Sequence, residues 1–133
     1  VLKLGNIYAK RDWGYAKDYV EAMWKMLQVK KPEDFVIATG KTHSVKEFIN
    51  KSVKILNLST KWIGKGLNEQ LIDLNKKKPI IVIDKKYFRP AEVNILKGDY
   101  NKAKKILKWS PKTNLNDLAK IMIESDLLYI NKN

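Results

Sequence analysis

A chain of 133 residues, 44% of them hydrophobic and four of them tryptophan, is long enough for one ordinary hydrophobic core and is not a disordered tail. It has no cysteine and one histidine, which excludes a disulfide framework, a thiol nucleophile, and thiolate or histidine-cluster metal sites. The net charge of +13 is spread as single lysines over nearly every segment, with one run at Lys76-Lys77-Lys78, and this pattern of solvated faces in an asparagine- and isoleucine-rich chain argues against nucleic-acid binding.

Val1-Leu2-Lys3-Leu4 reads as a strand beginning at the first residue, with no initiator methionine and no polar lead-in, the pattern expected of a fragment. A turn at Gly5-Asn6 follows. Asp12 is placed to cap a helix through about Gln28, with Ala16, Val20, Met23, Trp24 and Leu27 as its buried stripe at three- and four-residue spacing. Lys31-Pro32-Glu33 ends it, and Phe35-Val36-Ile37-Ala38 is a short apolar run, expected to be a strand covered on both faces. Thr42-His43-Ser44 enters a second helix running to about Leu56, where Ser44 and Glu47 have the spacing of a reciprocal capping box and His43 is a helix-entry residue rather than a catalyst.

Thr60-Lys61-Trp62-Ile63 predicts a strand, residues 64–79 a weakly patterned and mobile loop, and Ile80-Ile81-Val82-Ile83 a further strand. Asp99 opens a short helix through about Leu107, Trp109-Ser110-Pro111 breaks it, and Asn114 caps a last helix marked by Leu115, Leu118, Ala119, Met122 and Leu127. Trp13, Tyr15, Trp24 and Trp109 read as core or cleft-wall residues. No linker or repeat marks an internal boundary, so residues 1–133 are taken as one portion. With no leader segment and no apolar run long enough to span a bilayer, the expectation is a cytoplasmic protein without a membrane partner.

Two phosphate-loop signals fail on spacing. Gly40-Lys41-Thr42 lacks the earlier glycine of a P-loop, since Phe35 stands there, and Gly64-Lys65-Gly66 lacks both a third glycine and a following helix.

The chain uses 25 lysines and only two arginines, Arg11 in Lys10-Arg11-Asp12-Trp13-Gly14 and Arg89 in Tyr87-Phe88-Arg89-Pro90-Ala91-Glu92-Val93. A guanidinium offers a planar fork that lysine cannot copy, so two arginines in a lysine background point to a phosphate or carboxylate ligand. Structural ion pairs to Asp12 or Glu92 are the competing reading.

These motifs, together with Leu4-Gly5-Asn6, the stretch from Ala9 to Trp24, Phe35 to Gly40 with Thr42-His43-Ser44-Val45, and Gly98-Asp99 with Lys102-Ala103-Lys104 and Trp109-Ser110-Pro111, resemble the C-terminal part of the GDP-mannose 4,6-dehydratases, members of the extended short-chain dehydrogenase/reductase family. The resemblance implies an α/β fold: a small mixed substrate-binding domain plus an edge strand, at Phe35 to Ala38, and helices of the Rossmann domain. It also implies a lyase that oxidises C4 of the mannose of GDP-mannose with NADP, eliminates water across C5 and C6 and returns the hydride to C6, in a full-length homo-oligomer. The glycine-rich cofactor loop, the catalytic tyrosine and lysine and the acidic residue that assists elimination belong to a preceding region, so the chain alone is expected to be inactive and to bind no cofactor. Arg11 and Arg89 become candidates to grip the diphosphate, Glu92 to accept from ribose or guanine or to orient an arginine, and Asn6 and Lys10 to lie at the nucleotide end. Another extended-family epimerase or reductase, and a lysine-rich nucleic-acid module, are the alternatives.

Overall fold

The computed structural model describes residues 1–89 and 91–131. In chain order its elements are β1 (Leu2–Leu4), β2 (Lys10–Asp12), α1 (Ala16–Met26), β3 (Thr42–Ser44), α2 (Val45–Ile55), β4 (Thr60–Ile63), β5 (Gln70–Asp73), β6 (Lys78–Ile83), β7 (Ile95–Leu96), α3 (Asn101–Ile106) and α4 (Leu115–Ile130), with 3-10 turns at Gly66–Asn68 and Lys85–Tyr87. They fall into two compact units, Val1–Ala9 with Ser44–Asn94 and Lys10–His43 with Ile95–Asn133.

The first unit is a four-stranded sheet in the order β1-β6-β5-β4 with α2 packed on it. β1 runs parallel to β6, placing Leu2 beside Ile81 and Leu4 beside Ile83, while β5 is antiparallel to both β4 and β6. Side chains alternate along a strand, so Leu71 of β5 and Ile81 and Ile83 of β6 face inward together. They close a core with Ile7 and with Ile49 of α2, and Leu4, Val45, Val53, Trp62 and Ile80 pack around it. The capping box forms as the sequence predicts: Ser44 Oγ accepts from the Glu47 amide and Glu47 Oε2 accepts from the Ser44 amide.

Residues 64–79 are not a mobile loop. They contain the Gly66–Asn68 turn, all of β5 and the start of β6, and the hairpin between the strands is held by the buried Asp73, whose Oδ1 accepts from the amides of Asn75 and Lys76. The β5 pattern was hidden because half of Gln70-Leu71-Ile72-Asp73 is polar and the buried acid does turn chemistry.

The second unit has a three-stranded sheet, β3-β2-β7, and the helices α1, α3 and α4. Its core centres on Trp109, 1% exposed, with Ala22, Ala103 and Leu107; the rings of Tyr19 and Tyr100 meet Trp109 edge-on at 6.3 and 6.0 Å. The Trp109 indole N–H donates to the Asp18 carbonyl. Asn114 caps α4 as predicted, its Oδ1 accepting from the amides of Asn116 and Asp117.

Three expectations for this unit are corrected. Asp12 caps no helix: it ends β2, and α1 starts later, after an N-cap at Tyr15 that supplies no side-chain bond. The stripe assigned to the core is largely the outer face of α1, since Val20, Met23, Trp24 and Leu27 are 59 to 82% exposed, while Asp18 and Ala22 are buried and Tyr19 and Met26 pack on the Trp109 cluster. Periodicity finds an apolar face without naming its partner, and Ala22 wins the inner side because it lets the helix approach Trp109. Phe35 to Ala38 belongs to no ladder among the described residues; Phe35 and Ile37 pack on the Trp109 cluster, Ala38 is buried, and Val36 is exposed.

Candidate functional site

In the first unit the backbones of two turns abut. After β1 the chain bends at Gly5, and a Cβ there would lie 2.1 Å from the Tyr87 carbonyl oxygen, so only glycine allows the Gly5–Tyr8 turn to press against the Lys85–Tyr87 turn. Asp84 supports the second turn. Its amide donates to the Leu4 carbonyl, its Oδ1 accepts from the Lys86 amide, and its other oxygen pairs with Lys3 at 3.4 Å. The Lys86 amide first, and then Lys3, hold the Asp84 carboxyl below the usual carboxylate range.

Two sequence-predicted residues therefore sit on adjoining turns. Asn6 is half-buried, and its Oδ1 accepts from the Tyr8 amide at 2.9 Å, which restrains the side chain; among the described residues its Nδ2 donates to nothing. Arg89 follows one residue after the Tyr87–Phe88 end of the second turn, is exposed, and its guanidinium makes no hydrogen bond or ion pair to a described residue. Unfilled donors on a glycine-tightened backbone suit an anionic or polyhydroxylated ligand. Glu92, in the same unit, is half-buried and is not free of partners.

Beside the Gly5–Tyr8 turn lies a cluster that sequence reasoning missed. Glu69 is 3% exposed, and its carboxylate accepts from the Tyr8 hydroxyl at 2.8 and 3.0 Å and pairs with Lys46 Nζ. Lys46 also donates to the Tyr8 hydroxyl and lies 4.8 Å over the Trp62 ring and 5.0 Å over the Tyr8 ring. Burial works against the Lys46 ammonium, but the bonds to Glu69 and Tyr8 outweigh it and raise its pKa above the ordinary lysine value. The three residues are 23 and 61 positions apart in sequence, so no local motif announces them.

The remaining predicted residues lie in the second unit. Lys10 is exposed at the start of β2, and the Lys10 carbonyl accepts from Arg11 Nη1 at 2.8 Å. Arg11 is half-buried, pairs across β2 and β7 with Leu96, and is not free of other partners. The neighbouring Asp12 is committed elsewhere: Oδ1 accepts from the Thr39 amide and hydroxyl, and Oδ2 from the amides of Gly40 and Gly98. A cavity of about 220 Å³ in this unit is lined by Trp13, Thr39, Lys41, His43, Tyr100 and the Pro111–Leu115 segment, and contains none of the predicted site residues. Lys112 there is paired with Glu21. Among the described residues no group of acidic or histidine side chains has the makings of a metal site, and no helix is long and apolar enough to cross a membrane.

Comparison with known proteins places the chain in a family. A family model described as GDP-mannose 4,6 dehydratase matches residues 1–122. The chain is 55% identical over 130 residues to the GDP-mannose 4,6 dehydratase of Dictyostelium discoideum, covering 98% of this chain and 36% of that protein, and 50% identical over 124 residues to that of Homo sapiens, covering 93% and 33%. It thus spans about a third of the length of the curated relatives it matches. Among solved structures, UDP-glucose 4-epimerase from Thermotoga maritima with UDP-glucose superposes with a TM-score of 0.72 at 22% identity, over 97% of this chain and 35% of that one. The dTDP-glucose 4,6-dehydratase from Bacillus anthracis in complex with NAD gives 0.66 at 15%, over 92% and 32%. The fold is that of the C-terminal part of the extended short-chain dehydrogenase/reductases.

Proposed function

The chain belongs to the GDP-mannose 4,6 dehydratase family, and on that premise we propose that it is the substrate-binding portion of a cytoplasmic, homo-oligomeric enzyme that converts GDP-mannose to GDP-4-keto-6-deoxymannose with NADP. The observation that carries the substrate assignment is the pair of donor groups with no partner among the described residues, Asn6 Nδ2 and the Arg89 guanidinium, on turns locked together at Gly5 and Tyr87. Arg89 supplies a charged fork for the diphosphate and Asn6 supplies neutral donors to a phosphate or sugar oxygen. Glu92 serves as acceptor for ribose or guanine. Arg11 and Lys10 belong to the other unit, and their part in nucleotide binding is proposed separately, on the motif they occupy.

Neither glycine-containing loop offers NADP a pyrophosphate cradle. At Gly40 the backbone has φ +72°, but the position a Cβ would take lies 3.2 Å from the Tyr100 ring, so no cradle for a pyrophosphate is open there. Gly64-Lys65-Gly66 leads into a three-residue 3-10 turn rather than a helix whose N-terminus would face a phosphate. In this proposal the cofactor, the proton-transfer pair and the elimination acid are supplied by other parts of the full-length protein, and the present residues bind and orient the nucleotide-sugar.

Titration calorimetry tests the reading: the full-length protein binds GDP saturably, prefers it to UDP, and shows no comparable affinity for duplex DNA. The 133-residue chain alone, given NADP and GDP-mannose, forms no 4-keto-6-deoxy sugar. Turnover by that chain, or absence of saturable GDP binding by the full-length protein, would overturn it.

A further inference from the structure

We infer that Tyr8, anchored by the buried Glu69 and Lys46, is a positioning residue that sets Asn6 for the ligand; the inference rests on the substrate reading above. One residue joins the two contacts. The Tyr8 amide holds Asn6 Oδ1 at 2.9 Å, and the Tyr8 hydroxyl, at the other end of the same residue, is held by both oxygens of Glu69. With Oδ1 engaged, the Asn6 side chain is restrained, and Nδ2, which donates to no described residue, carries its remaining two donors.

The anchor is rigid for physical reasons. Glu69 is almost wholly buried, its own amide donates to the Gly66 carbonyl and its carbonyl accepts from the Ile83 amide, so it is fastened to the sheet. Lys46 sits in the first turn of α2, and its amide donates to the Ile7 carbonyl at 2.9 Å, fastening the residue between Asn6 and Tyr8 to the helix. Ile7 itself is in the core at 2% exposure. Tyr8 is 55% exposed, far more than a side chain kept for core packing, and yet its hydroxyl donates to a buried carboxylate. An exposed ring held by its polar tip and by the Lys46 ammonium over its face contributes little by burial, and the tie restrains the turn that carries Asn6.

A double-mutant cycle decides the matter, with GDP as the probe and the full-length protein in four forms: wild type, Tyr8→Phe, Asn6→Ala and the double variant. Tyr8→Phe keeps the ring and the backbone and removes only the bonds to Glu69 and Lys46. It is expected to weaken GDP binding about three- to tenfold in the wild-type background and to change nothing further when Asn6 is already alanine. A merely structural tyrosine would cost the same factor in both backgrounds, and that result overturns the inference. So does a Tyr8→Phe protein that binds GDP as wild type does, which leaves the substrate reading standing. Wild-type protein that fails to bind GDP ends both.

Discussion

The two units use their buried and half-buried carboxylates in opposite ways. In Lys10–His43 with Ile95–Asn133, Asp12 and Asp18 take backbone amides from far along the chain: Asp12 those of Thr39, Gly40 and Gly98, and Asp18 those of Lys112 and Thr113. In Val1–Ala9 with Ser44–Asn94, Asp73 and Asp84 take backbone amides only from the turn that follows each of them, and the donors they and Glu69 find far along the chain are side chains: Lys3 for Asp84, and Tyr8 and Lys46 for Glu69. A carboxylate filled by backbone amides is spent on shape. In the unit where long-range acids anchor side chains, Asn6 Nδ2 and the Arg89 guanidinium donate to no described residue, and it is there that the proposed site lies.

The sharpest way to break the comparison is to remove Asp12. Asp12→Ala leaves the amides of Thr39, Gly40 and Gly98 without their acceptor at once, and a cost of roughly 3 kcal/mol is expected from orphaning several part-buried donors. Denaturant unfolding reads it directly. A loss well under 1 kcal/mol would mean that water replaces the carboxylate and that this scaffold role is overstated.

Arg89→Lys probes the other side. It keeps the charge and loses the fork, so GDP binding should weaken by about 1 to 3 kcal/mol while the melting temperature stays put, because the exposed guanidinium supports no described residue. Unchanged GDP affinity in the folded variant would remove Arg89 from the site; a lowered melting temperature would make it part of the scaffold instead.

The smallest effect is in pH. Lys46 has a folded-state pKa raised above its unfolded value, so the stability it contributes is complete below the unfolded lysine pKa and is lost as pH rises through the folded one. Tyr19 acts in the same direction, its hydroxyl held neutral by burial first and then by the charges of Asp12 and Asp18. Thermal melts should therefore decline on the alkaline side, and the gap between wild type and Lys46→Met should narrow there as wild type loses its own charge. A gap that is constant from neutral to strongly alkaline pH would show that Lys46 acts through its aliphatic stem over Tyr8 and Trp62 rather than through Glu69.

Much of the fold was legible because its signals are local. The Ser44–Glu47 capping box, the Asn114 cap, the Thr60–Ile63 strand and the break at Trp109-Ser110-Pro111 each depend on residues within a turn or two of one another, where side-chain type and spacing suffice. Arg89 and Asn6 could be nominated in the same way, one by its rarity in a lysine-rich chain and both by the motifs around them.

What tertiary structure alone decided is where each local pattern was used. Asp12 has the look of a helix cap and is instead an acceptor for amides up to 86 positions away, and the apolar stripe of α1 faces outward because the small Ala22 on the opposite side is what fits against Trp109. The backbone contact of Gly5 with Tyr87, and the union of Tyr8, Lys46 and Glu69, bring together segments separated by most of the first unit's length. Composition and periodicity report what a segment offers. Which donor meets which acceptor across that distance is settled by the sheet register and by the requirement that a buried carboxylate find its partners.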